Sequence, residues 1–172
     1  MRTIILPLVL VASTPAFASG PTGTIPQLPH PTGEVDECGD LVDYDAITDL
    51  YLDVVNSHDV RRFSEIFTDD YTWTSTSGTV PGLESFEQMM EGFYAAFPDA
   101  EYSMDDVLVD GDRIIYRYSW TGTHLGAFFG IPATGRFVHG SGMEIDTVER
   151  GYLSATWNMA DIFGLVNQLT TP

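Results

Sequence analysis

"RIIYRYSWT", residues 113–121, has a strict period of two. In a strand, successive side chains point to opposite faces. Ile114, Tyr116, Tyr118 and Trp120 therefore share one face, and Arg113, Ile115, Arg117 and Ser119 the other. The aromatic face has to be covered, yet tyrosine and tryptophan bring O–H and N–H groups that need partners there. An apolar hollow with a few polar handles is the pattern of a small-molecule site. A core with internally satisfied hydroxyls fits the same residues, and the strand alone leaves both readings open.

The same period extends outward from this strand. Residues 101–109, 137–148 and 152–160 alternate likewise, and Asp110-Gly111 and Arg150-Gly151 supply turns between neighbours. Upstream the period becomes helical. Ile47, Leu50, Tyr51, Val54 and Val55 recur at i, i+3, i+4, i+7 and i+8, which predicts a helix over about 43–56. Asp59 can cap a second short helix with Phe63, Ile66 and Phe67 on its apolar side. "YTWTST", 71–76, reads as a short strand. Leu83, Phe86, Met90, Phe93, Tyr94 and Phe97 form a helical core stripe stopped by Pro98, and Asp161 caps a final helix over 162–169. Helices first and an antiparallel meander second give an α+β domain, one sheet curled over a small helical layer.

The N-terminus has a different character. Met1-Arg2, an apolar run over 4–12 and Ala16-Phe17-Ala18 make a secretory signal peptide, residues 1–18, with cleavage expected after Ala18. The run is shorter than the roughly 20 residues of a spanning helix, so no membrane insertion is expected after cleavage. The expected destination is the periplasm or the medium. Removing 18 of 172 residues leaves 154, enough for one domain with a real core. Residues 19–39 are a Pro/Gly-rich linker that contains His30, and 40–172 are the folded domain.

The chain carries 25 acids against 7 basic residues and a net charge of −18, which repels phosphate backbones and anionic headgroups. Nucleic-acid partners are excluded on that ground. Cys38 is the only cysteine, so neither an internal disulfide nor a thiolate zinc cluster is expected. There is no Gly-rich phosphate loop, no Ser-His-Asp spacing and no H-E-x-x-H, and no metal or cofactor is expected.

In "FVHGSGMEIDTVERG", 137–151, Glu144 and Asp146 share a parity with Val138 and Val148, while His139, Met143 and Ile145 take the other. Turned inward, Glu144 would be desolvated, its pKa would rise, and it could take a proton from carbon and return it to oxygen. Turned outward, it is one more surface acid. His124 lies one turn beyond Trp120, where an imidazole could serve as acid, base or hydrogen-bond donor. His58, in "NSHDV", reads as an exposed turn residue.

The stretch "TGTHLGAFFGIPATGR", 121–136, resembles the signature of the SnoaL-like polyketide cyclases, or ester cyclases, of the nuclear transport factor 2-like superfamily. The signature T-G-x-H-x-G-x-F-x-G-x-P-x-T-G-R is matched by Thr121, Gly122, His124, Gly126, Phe128, Gly130, Pro132, Thr134, Gly135 and Arg136. Trp157 and Asp161 keep the family's W-x-x-x-D spacing, and the resemblance covers about 43–170. It implies a cone: a strongly curved antiparallel sheet wrapped around N-terminal helices. It also implies association as a homo-oligomer through the sheet's outer face.

The implied chemistry uses neither cofactor nor metal. A carboxylic side chain removes a proton between two carbonyls, the enolate attacks a carbonyl of the same molecule, and the proton goes to the new alkoxide. By spacing, the family's acid/base Asp falls on Glu144, with His124 holding or polarising a carbonyl oxygen. Tyr116, Tyr118, Trp120 and Trp157 would line the site for a small hydrophobic ligand, and Phe128 and Phe129 would exclude water. The chain departs from the family in carrying Glu at 144, and Trp73-Thr74 where many relatives have a histidine. The expectation is an exported cyclase- or isomerase-like enzyme. A non-catalytic binding module of the same fold is the alternative, and a hydrolase or dehydratase a third.

Overall fold

The computed structural model describes residues 42–171. The signal segment, the linker with His30, and Cys38 lie outside the described residues. Helix α1, Tyr44–Asn56, starts where the Asp43 side chain accepts the Ala46 N–H at 3.0 Å, and it buries Tyr44, Ile47, Tyr51, Val54 and Val55. Asp59 caps a 3₁₀ helix, Val60–Glu65, by accepting from Arg61 N. Strands β1 (Phe67–Ser75) and β2 (Gly78–Pro81) follow, then α2 (Leu83–Ala96). The chain closes with β3 (Glu101–Asp110), β4 (Arg113–Thr123), β5 (Phe137–Glu149), β6 (Tyr152–Ala160) and α3 (Ile162–Thr170).

The α+β architecture and the curved sheet are as expected, with one addition. The four strands β3 to β6 form the antiparallel meander, but β1 joins β6 in parallel, giving a mixed sheet of order β2-β1-β6-β5-β4-β3. A parallel pair needs a long crossover, and here the connection carries α2 and four strands. The short helix stops at Glu65, so Phe67 opens β1 instead of continuing a helical face, and Ser75 and Gly78 begin a hairpin absent from the sequence reading. Aromatic residues spaced by four satisfy a helix and a strand alike, because Phe67 and Tyr71 are in phase for both.

The helices cover one face of the sheet. Val54, Val55, Phe86, Met90, Tyr94 and Phe97 pack there with Phe67, Tyr71, Ile114, Tyr116 and Trp120. Register shifts between Met104 and Asp106 in β3, and between Thr147 and Val148 in β5, bend the ladder. On the opposite, convex face Met143, Trp157 and Met159 are exposed.

Two glycines of β5 fix how the aromatic side chains lie. Gly140 pairs with Trp120 and Gly142 with Tyr118, and a Cβ at either would collide with the partner's ring or hydroxyl. Their absent side chains let the rings of β4 lie across β5. At the far end Gln168 of α3 stands in for a missing strand, accepting from His139 N at 2.9 Å and donating to His139 O at 2.8 Å. Gly140→Ala or Gly142→Ala should destabilise the fold by about 1–3 kcal/mol through overpacking. Gly92→Ala, on the exposed side of α2 with nothing within 4 Å of the added carbon, should stabilise it by up to about 1 kcal/mol. Thermal melts of the three variants check the contrast.

Candidate active site

Glu144 and Asp146 point to the helix-covered face of β5. Their residues are 7% and 0% exposed. The hairpin register decides what meets them: Glu144 stands opposite Asn158 and Asp146 opposite Thr156 on β6, with Tyr116 opposite Glu144 on β4. Asn158 Nδ2 donates to Glu144 Oε1 at 2.6 Å and to the Tyr118 hydroxyl at 2.9 Å. From α1, the Tyr51 hydroxyl donates to Glu144 Oε2 at 3.1 Å. Tyr116 and Trp73 also face the Glu144 carboxyl and favour its charged form. Thr156 Oγ1 bonds Asp146 Oδ1 at 2.5 Å, Tyr71 bonds Thr156 Oγ1 at 2.6 Å, and the Tyr116 hydroxyl meets Asp146 Oδ2.

Burial raises the pKa of both acids. For Glu144, desolvation pushes upward and hydrogen bonds from Asn158, Tyr51, Tyr116 and Trp73 pull back. Asp146 is pushed well above the usual carboxylate range, first by desolvation and then by the neighbouring Glu144 charge. The hydroxyls of Tyr51, Tyr71 and Tyr116 are pushed up as well, each chiefly by burial.

From this pair a row of rings leads toward the 124–136 loop. Tyr102 lies 6.0 Å from Tyr118 and 6.2 Å from Trp120 between ring centroids. Trp120 meets Phe93 edge-on at 4.9 Å and Phe97 at 5.0 Å, and Phe128 packs edge-on against Phe97 at 5.0 Å. Tyr116, Tyr118, Trp120 and Phe128 thus share the interior with Glu144. Phe129 sits at the loop tip, 69% exposed and at a left-handed φ of 47°, with its ring against Phe128.

Two expected members of the site lie elsewhere. Trp157 is 41% exposed on the convex face. In an unbroken hairpin it would oppose Glu144, but the shift between Thr147 and Val148 moves the register by one and brings Asn158 inward instead.

His124 is fully buried but remote. It follows Tyr116, the partner of Glu144, by eight residues, roughly 26 Å of strand at about 3.3 Å per residue. Its backbone pairs with Arg136 O and Gly135 N, and Thr134 N–H donates to its Nδ1 at 3.3 Å. His124 therefore clasps the loop to its own end. Its Nε2 finds no hydrogen-bond partner among the described residues. His58 is not a free turn residue: its ring stacks on Tyr94 at 4.6 Å and its Nε2 meets Ala100 O at 2.7 Å.

The sequence reading missed Tyr51, Tyr71, Trp73, Thr156 and Asn158 as members of this site. Thr156 and Asn158 carried a signal, two polar residues at alternate positions of an otherwise apolar strand. Among the described residues no three of His, Cys, Asp and Glu come together to hold a metal ion.

The family model described as SnoaL-like polyketide cyclase matches residues 45–169. This chain belongs to that family. Its fold recurs in a protein of Jannaschia sp. CCS1 assigned as a SnoaL-like polyketide cyclase, at 18% identity and a TM-score of 0.68, over 85% of this chain and 99% of that one. TsrD from Streptomyces laurentii is similar at 24% identity and a TM-score of 0.69, over 81% and 100%. A SnoaL-like polyketide cyclase from Agrobacterium tumefaciens str. C58 is similar at 21% and 0.60, over 72% and 97%. No curated protein matches the chain.

In this SnoaL-like domain the folded state holds the Glu144 and Asp146 protons to higher pH than the unfolded chain does. It binds more protons above the ordinary carboxylate range, so this contribution to stability falls as pH rises toward the folded-state midpoints. Glu144→Gln removes one such cost. Its gain in thermal stability over wild type should be smallest at acidic pH and grow by about 1.4 kcal/mol per pH unit within that window. A constant difference across a pH series of melts would overturn this.

Proposed function

We propose that this protein is a cofactor-independent acid/base enzyme, an aldol-type cyclase or isomerase acting on a small hydrophobic carbonyl compound, with Glu144 as its base. One observation carries the reading: a carboxyl turned away from bulk water, ringed by N–H and O–H donors, beside aromatic rings. The family supports the reaction class. A carboxylate held this way is ready to take a proton from a carbon flanked by two carbonyls. The resulting enolate attacks a second carbonyl of the same molecule, and Glu144 returns the proton to the alkoxide formed.

The Tyr118 hydroxyl accepts from Asn158 and keeps its own proton, so it can donate to a substrate carbonyl oxygen beside Glu144. This role, expected of His124 from the sequence, falls here to Tyr118 because Tyr118 shares the Asn158 amide with Glu144. Tyr116, Tyr118 and Trp120 supply the apolar wall.

One observation favours a binding module instead: both Glu144 oxygens already have protein partners, as a structural acid's would. The proposal extends to an exported protein, on the strength of residues 1–18, and to pairing of two copies through the convex face, where Trp157, Met143 and Met159 are exposed.

Deuterium wash-in at the carbon between the carbonyls of aryl β-keto esters, followed by NMR, tests the reaction. Glu144→Gln should slow it by about 10²–10⁴-fold with ligand affinity nearly intact, whereas Trp120→Ala should weaken affinity. Equal rates for wild type and Glu144→Gln leave the binding module. Sedimentation should show a dimer that Trp157→Glu converts to monomer.

A further inference from the structure

The donors around the two buried acids differ in kind. Glu144 accepts from Asn158 Nδ2, whose N–H groups can only donate, and from the Tyr51 hydroxyl, and it faces the donor-only Trp73 indole. Asp146 is met only by hydroxyls, those of Thr156 and Tyr116, and a hydroxyl accepts as readily as it donates. A carboxylate suits the first setting, and a neutral acid suits the second. The Tyr116 hydroxyl bonds Asp146, and Tyr116 stands opposite Glu144 across the β4–β5 ladder.

We propose that Asp146 is a positioning residue which keeps its proton at neutral pH, donates it in a hydrogen bond to Tyr116, and so aims the Tyr116 proton at the Glu144 carboxylate. The whole chain then runs one way: Tyr71 donates to Thr156, Thr156 to Asp146, Asp146 to Tyr116, and Tyr116 to Glu144. Each member between the ends accepts one hydrogen bond and donates one, and the negative charge sits at the end with a donor-only amide N–H group and some access to solvent.

The opposite assignment, a charged Asp146 beside a neutral Glu144, would put the charge on the wholly buried group, whose partners are hydroxyls alone. Two like charges this close cannot both persist in a low-dielectric interior. The other titratable groups facing the pair are Tyr51 from α1, Tyr71 from β1, Tyr102 from β3 and Tyr118 from β4, all neutral phenols held so by burial. None of the ion pairs among the described residues involves either acid.

The inference takes Glu144 as base from the preceding reading, but its test does not depend on turnover. The full chain, labelled with carboxyl-¹³C aspartate and glutamate, is titrated by NMR. At pH 7 one aspartate resonance should stand at the protonated position and vanish in Asp146→Asn, while the resonance lost in Glu144→Gln stands at the carboxylate position.

In Asp146→Asn the amide still donates to Tyr116, so the Glu144 midpoint should move by less than about half a pH unit. In Tyr116→Phe it should rise by about one unit or more, because a donor to the charged form is gone. An Asp146 resonance at the carboxylate position at pH 7 overturns the assignment in wild type, whether or not the variants fold. A fall of about one unit or more in Asp146→Asn, or no change in Tyr116→Phe, overturns it also. Failure of the base reading would show separately, as turnover that survives Glu144→Gln.

Discussion

Asp146 and Glu144, one residue apart on the same face of β5, are removed from water in a chain that already carries a net charge of −18. A carboxyl in that position is either neutral or surrounded by donors, since an unpaired buried charge costs several kcal/mol. The interior is arranged accordingly. α1 contributes the Tyr51 hydroxyl, β1 Tyr71 and Trp73, β4 Tyr116 and Tyr118, and β6 Thr156 and Asn158. Four elements around β5 send polar groups to this point, and the parallel docking of β1 on β6 is what brings Tyr71 and Trp73 there.

A single irregularity sets which residues can take part. Beside the Arg150-Gly151 turn the ladder pairs Val148 with Leu153, and one step later Thr147 with Ala155. That shift inverts the inner and outer faces of β6 relative to a regular hairpin. Without it Trp157 would lie against Glu144 and the amide of Asn158 would face solvent on the convex side. The bulge therefore exchanges a bulky apolar neighbour for a donor, and with it the chemistry open to the acid.

The period-two alternation after Pro98 and the helical stripes before it were sufficient for α1, α2, α3 and the four-strand meander, because each segment has one strong periodicity and a cap or turn at its ends. Phe67 was less legible, since its spacing of four from Phe63 and from Tyr71 suits helix and strand equally. The inward turn of Glu144 could not be read from parity, as either face of β5 carries apolar residues. The partners of the pair were hidden for another reason. They come from four elements, and their meeting depends on a one-residue bulge and a parallel strand docking, neither of which leaves a local signal. Tyr51 and Trp73 looked like core, and they are core residues that also carry a proton toward an acid.

The 124–136 loop and the carboxyl pair divide the interior between them. His124, Thr134, Gly135 and Arg136 bind one another and, through the Arg136 guanidinium, the carbonyls of Gln168 and Thr171 at the end of α3. That set fixes where Phe128 stands, and Phe128 closes the row of rings that starts at Tyr118. The His124 ring is buried under this clasp and packs on Phe97, and losing it would release the residues that shape the other end of the row. The signature motif of the chain thus acts on the shape of the interior, and the buried carboxyl pair is partnered by residues of α1, β1, β4 and β6 that meet only when the sheet is folded.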